Sequence, residues 1–198
     1  MNKRKIFLTA ILLVGIMFTS LAQTSLFTIS YSTAMPLGKT HDYIEKYSWR
    51  GVSIEQRYFI ERDLSVGFYI GWNVLHQKLV NYEEDFGNGV LYGTQYRYIN
   101  TWPILAVVHY HFLYESAVRP YVGAGLGMYS VNKQTEMGLY YSQTKSWQFG
   151  VQPEVGLWFD VAAGVNILVA AKYNYAFKSQ KGDPLSFLNV NVGLSFVY

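Results

Sequence analysis

The sequence predicts an all-β protein: an eight-stranded antiparallel transmembrane β-barrel with short periplasmic turns and longer extracellular loops. Three observations predict it. Apolar residues recur at every second position in segment after segment, which is the period of a strand. The alternate positions carry mostly Gly, Asn, Ser and Gln, with few charges. The connections between segments alternate between short and long, the arrangement of a barrel that turns tightly on one side of a membrane and loops out on the other.

The first residues stand apart from this pattern. Lys3, Arg4 and Lys5 precede an apolar run from Ile6 to Phe18, and Ser20-Leu21-Ala22 places small residues where a signal peptidase reads. Residues 1–22 are therefore predicted as a cleaved signal peptide and 23–198 as the barrel domain. The apolar run is shorter than the roughly 20 residues a spanning helix needs. Three of the 16 basic residues lie in this leader, so basic and acidic residues balance over 23–198. That balance removes the basic footprint a nucleic-acid partner would require. The chain has no cysteine, which leaves no disulfide and no attachment point for a lipid anchor at the cleavage junction. Aromatic content is 18%, with 18 tyrosines, yet no apolar run after the leader reaches helix-spanning length. A closed ring of strands is the other structure that can cross a bilayer.

The strands come in order. The first lies near Phe27 to Met35 and has the weakest pattern. The second carries Val52, Ile54, Tyr58 and Ile60 on its apolar face, and the third Leu64, Val66, Phe68, Ile70, Trp72 and Val74. Trp102, Ile104, Ala106, Val108, Tyr110 and Phe112 form the fourth. The fifth sets Val122, Ala124, Leu126 and Met128 against Tyr121, Gly123, Gly125, Gly127 and Tyr129. The sixth alternates from Trp147 to Phe159, the seventh from Val165 to Phe177 and the eighth from Leu188 to Tyr198. Short connections are expected at 61–63, 114–118 and 160–164, and long polar ones at 38–50, 79–97, 132–145 and 178–186.

Alternation alone also fits a soluble barrel with its polar face outward. Two features choose between them. The glycine triple of the fifth strand suits a narrow interior, where small residues make room for bulky neighbours. Trp102 and Tyr110 cap the two ends of one apolar face, as the aromatic girdles of a membrane barrel do.

The segment Arg119-Pro120-Tyr121-Val122-Gly123-Ala124-Gly125-Leu126-Gly127 resembles the fifth strand of the outer membrane protein β-barrel domain family, the small OmpA-, OmpX- and OmpW-like barrels of Gram-negative bacteria. Phe196-Val197-Tyr198, with apolar residues alternating back to Val190, resembles the terminal aromatic signal read by the barrel-assembly machinery. The Ala22-Gln23 junction resembles exported proteins of the Bacteroidetes. The resemblance implies an integral protein of the cell outer membrane that acts as a monomer. Its partners would be outer-membrane lipid and lipopolysaccharide, together with the assembly machinery during biogenesis. It implies no cofactor and leaves activity open, because the family is functionally mixed.

Strand parity turns Glu55, Arg57, Glu154 and Lys172 inward, and buried charges persist when paired, so an interior salt-bridge network is expected. Such a network is either a structural plug or a gate whose pairs exchange. His109 and His111 share the inward face of the fourth strand and could offer two metal ligands, although no third is fixed by spacing; two satisfied interior histidines are the alternative. His41, Asp42 and His76 near the external end, with Ser48 and Ser142, are the residues that could serve a lipid A-modifying enzyme, and no compact signature joins them. Glu83, Glu84 and Asp85 give the second long connection an acidic character. The leading expectation is a non-enzymatic barrel with a structural or surface-interaction role through its extracellular loops. A narrow OmpW-like conduit and a lipid A-modifying barrel enzyme are the alternatives.

Overall fold

In the computed structural model, residues 24–85, 90–113 and 116–198 are described. The expected leader, 1–22, lies outside them. The elements run β1 (Ser25–Pro36), α1 (Gly38–Tyr43), β2 (Gly51–Phe59), β3 (Leu64–Asp85), β4 (Val90–His111), β5 (Val118–Met137), β6 (Tyr140–Ala162), β7 (Val165–Ala176) and β8 (Leu185–Val197). Each strand pairs antiparallel with its neighbours in sequence, and β1 pairs with β8 to close the ring. That seam runs from Leu26 opposite Val197 to Pro36 opposite Phe187. Closure gives every strand a partner on both sides, so the barrel has no open edge.

The period-two pattern sorts the side chains. Ile29, Val52, Ile54, Phe68, Ile104, Leu126, Val155, Val192 and Leu194 all point outward and are exposed, Phe68 by 64%. Thr28, Ser30, Ser53, Glu55, Arg57, Gln152, Asn174, Asn189 and Asn191 point inward and are buried. This is a soluble protein turned inside out. Removing one large apolar side chain from water is worth roughly 1.5–3 kcal/mol, and a whole band of them faces outward here. Only lipid accommodates such a surface. Trp72 stacks on Trp102 at one margin of the band (centroids 5.8 Å apart), and Tyr110 meets Phe112 at the other (5.0 Å).

Both described ends of the ring lie with the short turns: Ser25 and Tyr198 exchange backbone hydrogen bonds of 2.9 and 3.0 Å. The tightest turn at this end passes through Gly164, whose φ of 75° lies in the left-handed region that favours glycine.

At the opposite end the structure corrects two expectations. Residues 79–85, 90–97 and nearly all of 132–145 are strand rather than loop: β3 and β4 continue to Asp85 and from Val90, and β5 and β6 reach Met137 and Tyr140. A bilayer needs about 9–11 residues per strand, so both hairpins stand far above it. Out there, both faces meet water and the apolar-polar alternation that marks a strand in lipid vanishes. The hairpins are held instead by backbone ladders and by rings such as Tyr96, which lies 5.6 Å below the Lys78 ammonium. The third difference is α1. Its Thr40 and the adjoining Ile44 are buried, and Ser186 N donates to Thr40 Oγ1 at 2.8 Å, so the 37–50 segment folds inward as a lid.

A ring with every ladder satisfied resists detergent until heated. The purified protein is expected to migrate differently on SDS gels before and after boiling; a single position in both samples would contradict closure.

Candidate functional site

The one dense collection of ionisable side chains among the described residues lies in the lumen, and strand register builds it. His109 on β4 is opposite Gly123 on β5, Gly123 is opposite Glu154 on β6, and Glu154 is opposite Lys172 on β7. Strands sit about 4.8 Å apart, so His109 must reach across one whole strand to touch Glu154. Gly123 permits it: a Cβ there would lie 2.2 Å from His109 Cδ2 and 3.0 Å from Glu154 Cγ. From the far wall, β2 contributes Glu55 and Arg57.

The pairs interlock. His109 Nε2 lies 2.7 Å from Glu154 Oε1 and 3.4 Å from Glu55 Oε1. Lys172 Nζ sits 2.7 Å from both Glu55 Oε2 and Glu154 Oε2, bridging the carboxylates. Arg57 donates from Nε to Glu55 and from Nη2 to Glu154 Oε1 at 3.2 Å and to the Tyr121 hydroxyl at 3.1 Å. Its guanidinium lies over the rings of Tyr121 (4.5 Å) and Trp158 (5.0 Å), and Lys172 lies over Tyr69 (4.3 Å). Two carboxylates thus face one guanidinium and one ammonium, and the formal charges cancel. All five side chains are buried. The donors of Glu55, His109 and Glu154 lie within 4.8 Å of one another, close enough for a metal ion. Arg57 and Lys172 already occupy the carboxylates, however, and a cation added there would meet two positive charges at contact.

Apolar and amide layers flank the charges. On the short-turn side Leu26, Tyr121, Trp158 and Leu168 fill the lumen. On the other side Gln152, Asn174, Asn189 and Asn73 hydrogen-bond in a row at 2.6–2.8 Å. Above them Ile44, Leu75, Ile99, Val131 and Phe187 form a second apolar layer under α1.

The structure therefore brings Glu55, Arg57, Glu154 and Lys172 together and adds His109, which strand parity places inside but does not connect to them. His111 goes elsewhere: its Nε2 is 2.9 Å from Ser65 Oγ and its ring stacks on Trp158 (4.7 Å). The two histidines thus have different hydrogen-bond partners, although both rings pack on Tyr121 (5.4 and 5.5 Å). Trp158 is the lumen residue that sequence reasoning misses. Parity in β6 turns it inward, one position from the outward Leu157. Phe196 is outward on β8, and the exposed Tyr198 donates to Gln56 Oε1 at 3.1 Å. Of the residues of the enzyme alternative, Asp42 and Ser142 line one cavity at the rim, and Ser48 and His76 are engaged elsewhere. Ser48 Oγ donates to the Val74 carbonyl, His76 lies against the Tyr98 ring (4.7 Å), and Ser142 pairs with Thr135 in the β5–β6 hairpin. Glu83 stands on the β3–β4 hairpin, opposite Tyr92.

No protein-family profile matches the chain, and no curated protein does. Solved structures match over nearly the whole length. A major outer membrane protein from Thermus thermophilus is 11% identical with a TM-score of 0.58, covering 88% of this chain and 99% of that one. This is the fold of the small outer-membrane barrels. OprG of Pseudomonas aeruginosa (11% identity, TM-score 0.55, 89% and 96% covered) and Ail of Yersinia pestis (13%, 0.53, 90% and 100%) share it. At these identities the likeness speaks for architecture.

Two substitutions probe the charged layer. Glu154→Ala leaves Arg57 and Lys172 sharing one carboxylate, and breaking a buried pair in this way costs about 3–5 kcal/mol; urea unfolding in lipid vesicles measures it. Gly123→Ala pushes His109 off Glu154 and should cost about 1–3 kcal/mol, as overpacking does. Wild-type stability in both variants would show that the network contributes nothing to the fold.

Proposed function

We propose that the chain is an integral outer-membrane protein whose barrel is a closed, non-conducting scaffold and whose working surface is the extracellular rim. The observation that carries this reading is the filled lumen: an apolar plug, a neutral charged layer, an amide row, a second apolar layer and a helical lid succeed one another along the axis. An eight-stranded ring encloses little more than its own side chains, and the charged ones here are paired with one another rather than waiting for water.

Support for the location comes from the outward apolar band and from the bacterial outer-membrane proteins that share the fold. On this reading the leader directs export, and the terminal strand with Phe196 and Tyr198 serves as the assembly signal. One chain closes its own ring, so the barrel needs no partner strand, in keeping with a monomer. The two tall hairpins and α1 project an extensive polar surface beyond the lipid, and loops on a rigid scaffold are where binding residues concentrate.

Planar-bilayer recording separates the scaffold from a conduit. The wild-type barrel is expected to show no stepwise conductance. Steps that change size in Glu154→Ala or Lys172→Ala would replace this reading with transport through the lumen.

A further inference from the structure

The extracellular rim holds a cavity of about 800 Å³ outside the lumen seal, between α1, the β5–β6 hairpin and the 178–184 loop. Its size falls in the range of roughly 300–1,000 Å³ typical of small-molecule sites. Lys39, Lys133, Lys178 and Lys181 line it, against Asp42 and Asp183. Among the described residues only Lys133 of these four meets a carboxylate, Asp183 at a loose 3.8 Å. The wall therefore carries an excess of positive charge gathered from three separate segments, which favours an anion.

The rest of the lining is rich in hydroxyls and amides. Thr135, Ser142, Thr144 and Ser146 contribute hydroxyl groups, and the Tyr43 ring lies beneath the Lys133 ammonium at 3.9 Å. Two buried polar atoms in the wall, Gln148 Oε1 and Ser179 Oγ, have no hydrogen-bond partner in the protein. Gln148 Oε1 is an acceptor and calls for a donor, which sulfate does not supply but a sugar hydroxyl does. The loop is held in place for this: Gln148 Nε2 donates to the Asp183 carbonyl at 2.9 Å, and Gly182 packs so closely that a Cβ would lie 2.2 Å from Gln148 Nε2. A wall fixed beforehand loses little freedom on binding.

A second cavity, of about 910 Å³, adjoins the first and shares Val131, Ser146, Ser179, Gln180 and Lys181 with it. This one opens toward the lipid margin and is lined by Trp72, Trp102 and Trp147, with Lys145 at its edge. The basic, hydroxyl-lined chamber and the aromatic groove thus lie side by side at the rim, on the inward and outward faces of β5 and β6.

We propose that the rim cavity binds a short anionic saccharide, recognised by lysines at its charged groups and by Gln148 and Ser179 at its hydroxyls. The proposal rests on the scaffold reading above in placing this rim outside the cell. The saccharide has two sources, a free sugar or the headgroup of an outer-leaflet glycolipid, whose acyl end would track along the tryptophan groove.

The test is calorimetric titration of the folded barrel in a nonionic, sugar-free detergent with three probes: a bisphosphorylated glucosamine disaccharide, its acylated form lipid A, and neutral lactose. The phosphorylated disaccharide is expected to bind and lactose is not. Lys133→Ala/Lys181→Ala should weaken binding at least tenfold while keeping the heat-dependent gel shift, and added salt should weaken it too, because these lysines are exposed. Tighter binding of lipid A, with the gain lost in Trp147→Ala, assigns the glycolipid source; equal binding assigns the free sugar. No binding of the phosphorylated disaccharide, binding no tighter than that of lactose, or binding indifferent to the lysine pair overturns the proposal. Conductance through the lumen would overturn the scaffold reading and leave this result standing.

Discussion

Eight strands closed on themselves satisfy every interior backbone ladder, and the ring they make is only as wide as the side chains it encloses. Most of what distinguishes this chain descends from that width. Because the outer face must be apolar for lipid, the polar halves of all eight strands are forced into one narrow space. Charges placed there are buried, so Glu55 and Glu154 persist only beside Arg57 and Lys172. The width also dictates where side chains must be missing. Gly123 vacates the place through which His109 reaches Glu154, and Gly156 does the same for Tyr121, whose ring a Cβ would meet at 2.5 Å.

How much of this was legible in the sequence depends on what each feature requires. The strands and the direction of Glu55, Arg57, Glu154 and Lys172 come from parity within single strands, which a linear reading can count. The place of His109 does not. It depends on the register between β4 and β6 across an intervening glycine, a relation set by turn lengths and barrel stagger rather than by any local pattern. Residues 79–97 and 132–145 read as loops because a strand wet on both faces has no apolar alternation to betray it. The helix α1 is six residues long and buries little beyond Thr40 and the adjoining Ile44, too few positions to show a helical period.

The rim cavity was hidden for a different reason. Its lysines come from α1, β5 and the 178–184 loop, and none stands out in its own segment. Composition pointed away from them, since acidic and basic residues balance over 23–198. An overall balance says nothing about how charges are distributed, and the fold separates them: the interior charges cancel locally, whereas the rim collects an excess of one sign. A neutral sequence can thus produce a sharply basic site once a fold has sorted its residues.

The charged layer and the rim are held by different partners. Between them lie the amide row and the apolar layer, of which Ile99 and Val131 also line the cavity. Glu154 and Lys172 bond within the lumen, whereas Gln148 and Lys133 bond to the 178–184 loop, so the two sets have different partners. Groups without common partners contribute nearly independently. The lumen can therefore be tuned for stability without disturbing the rim, and the rim can change its chemistry without opening the barrel. A fold that must fill its own centre gains a rigid platform in return, and its recognition chemistry is left to the one surface where neither lipid nor the ring dictates the side chains.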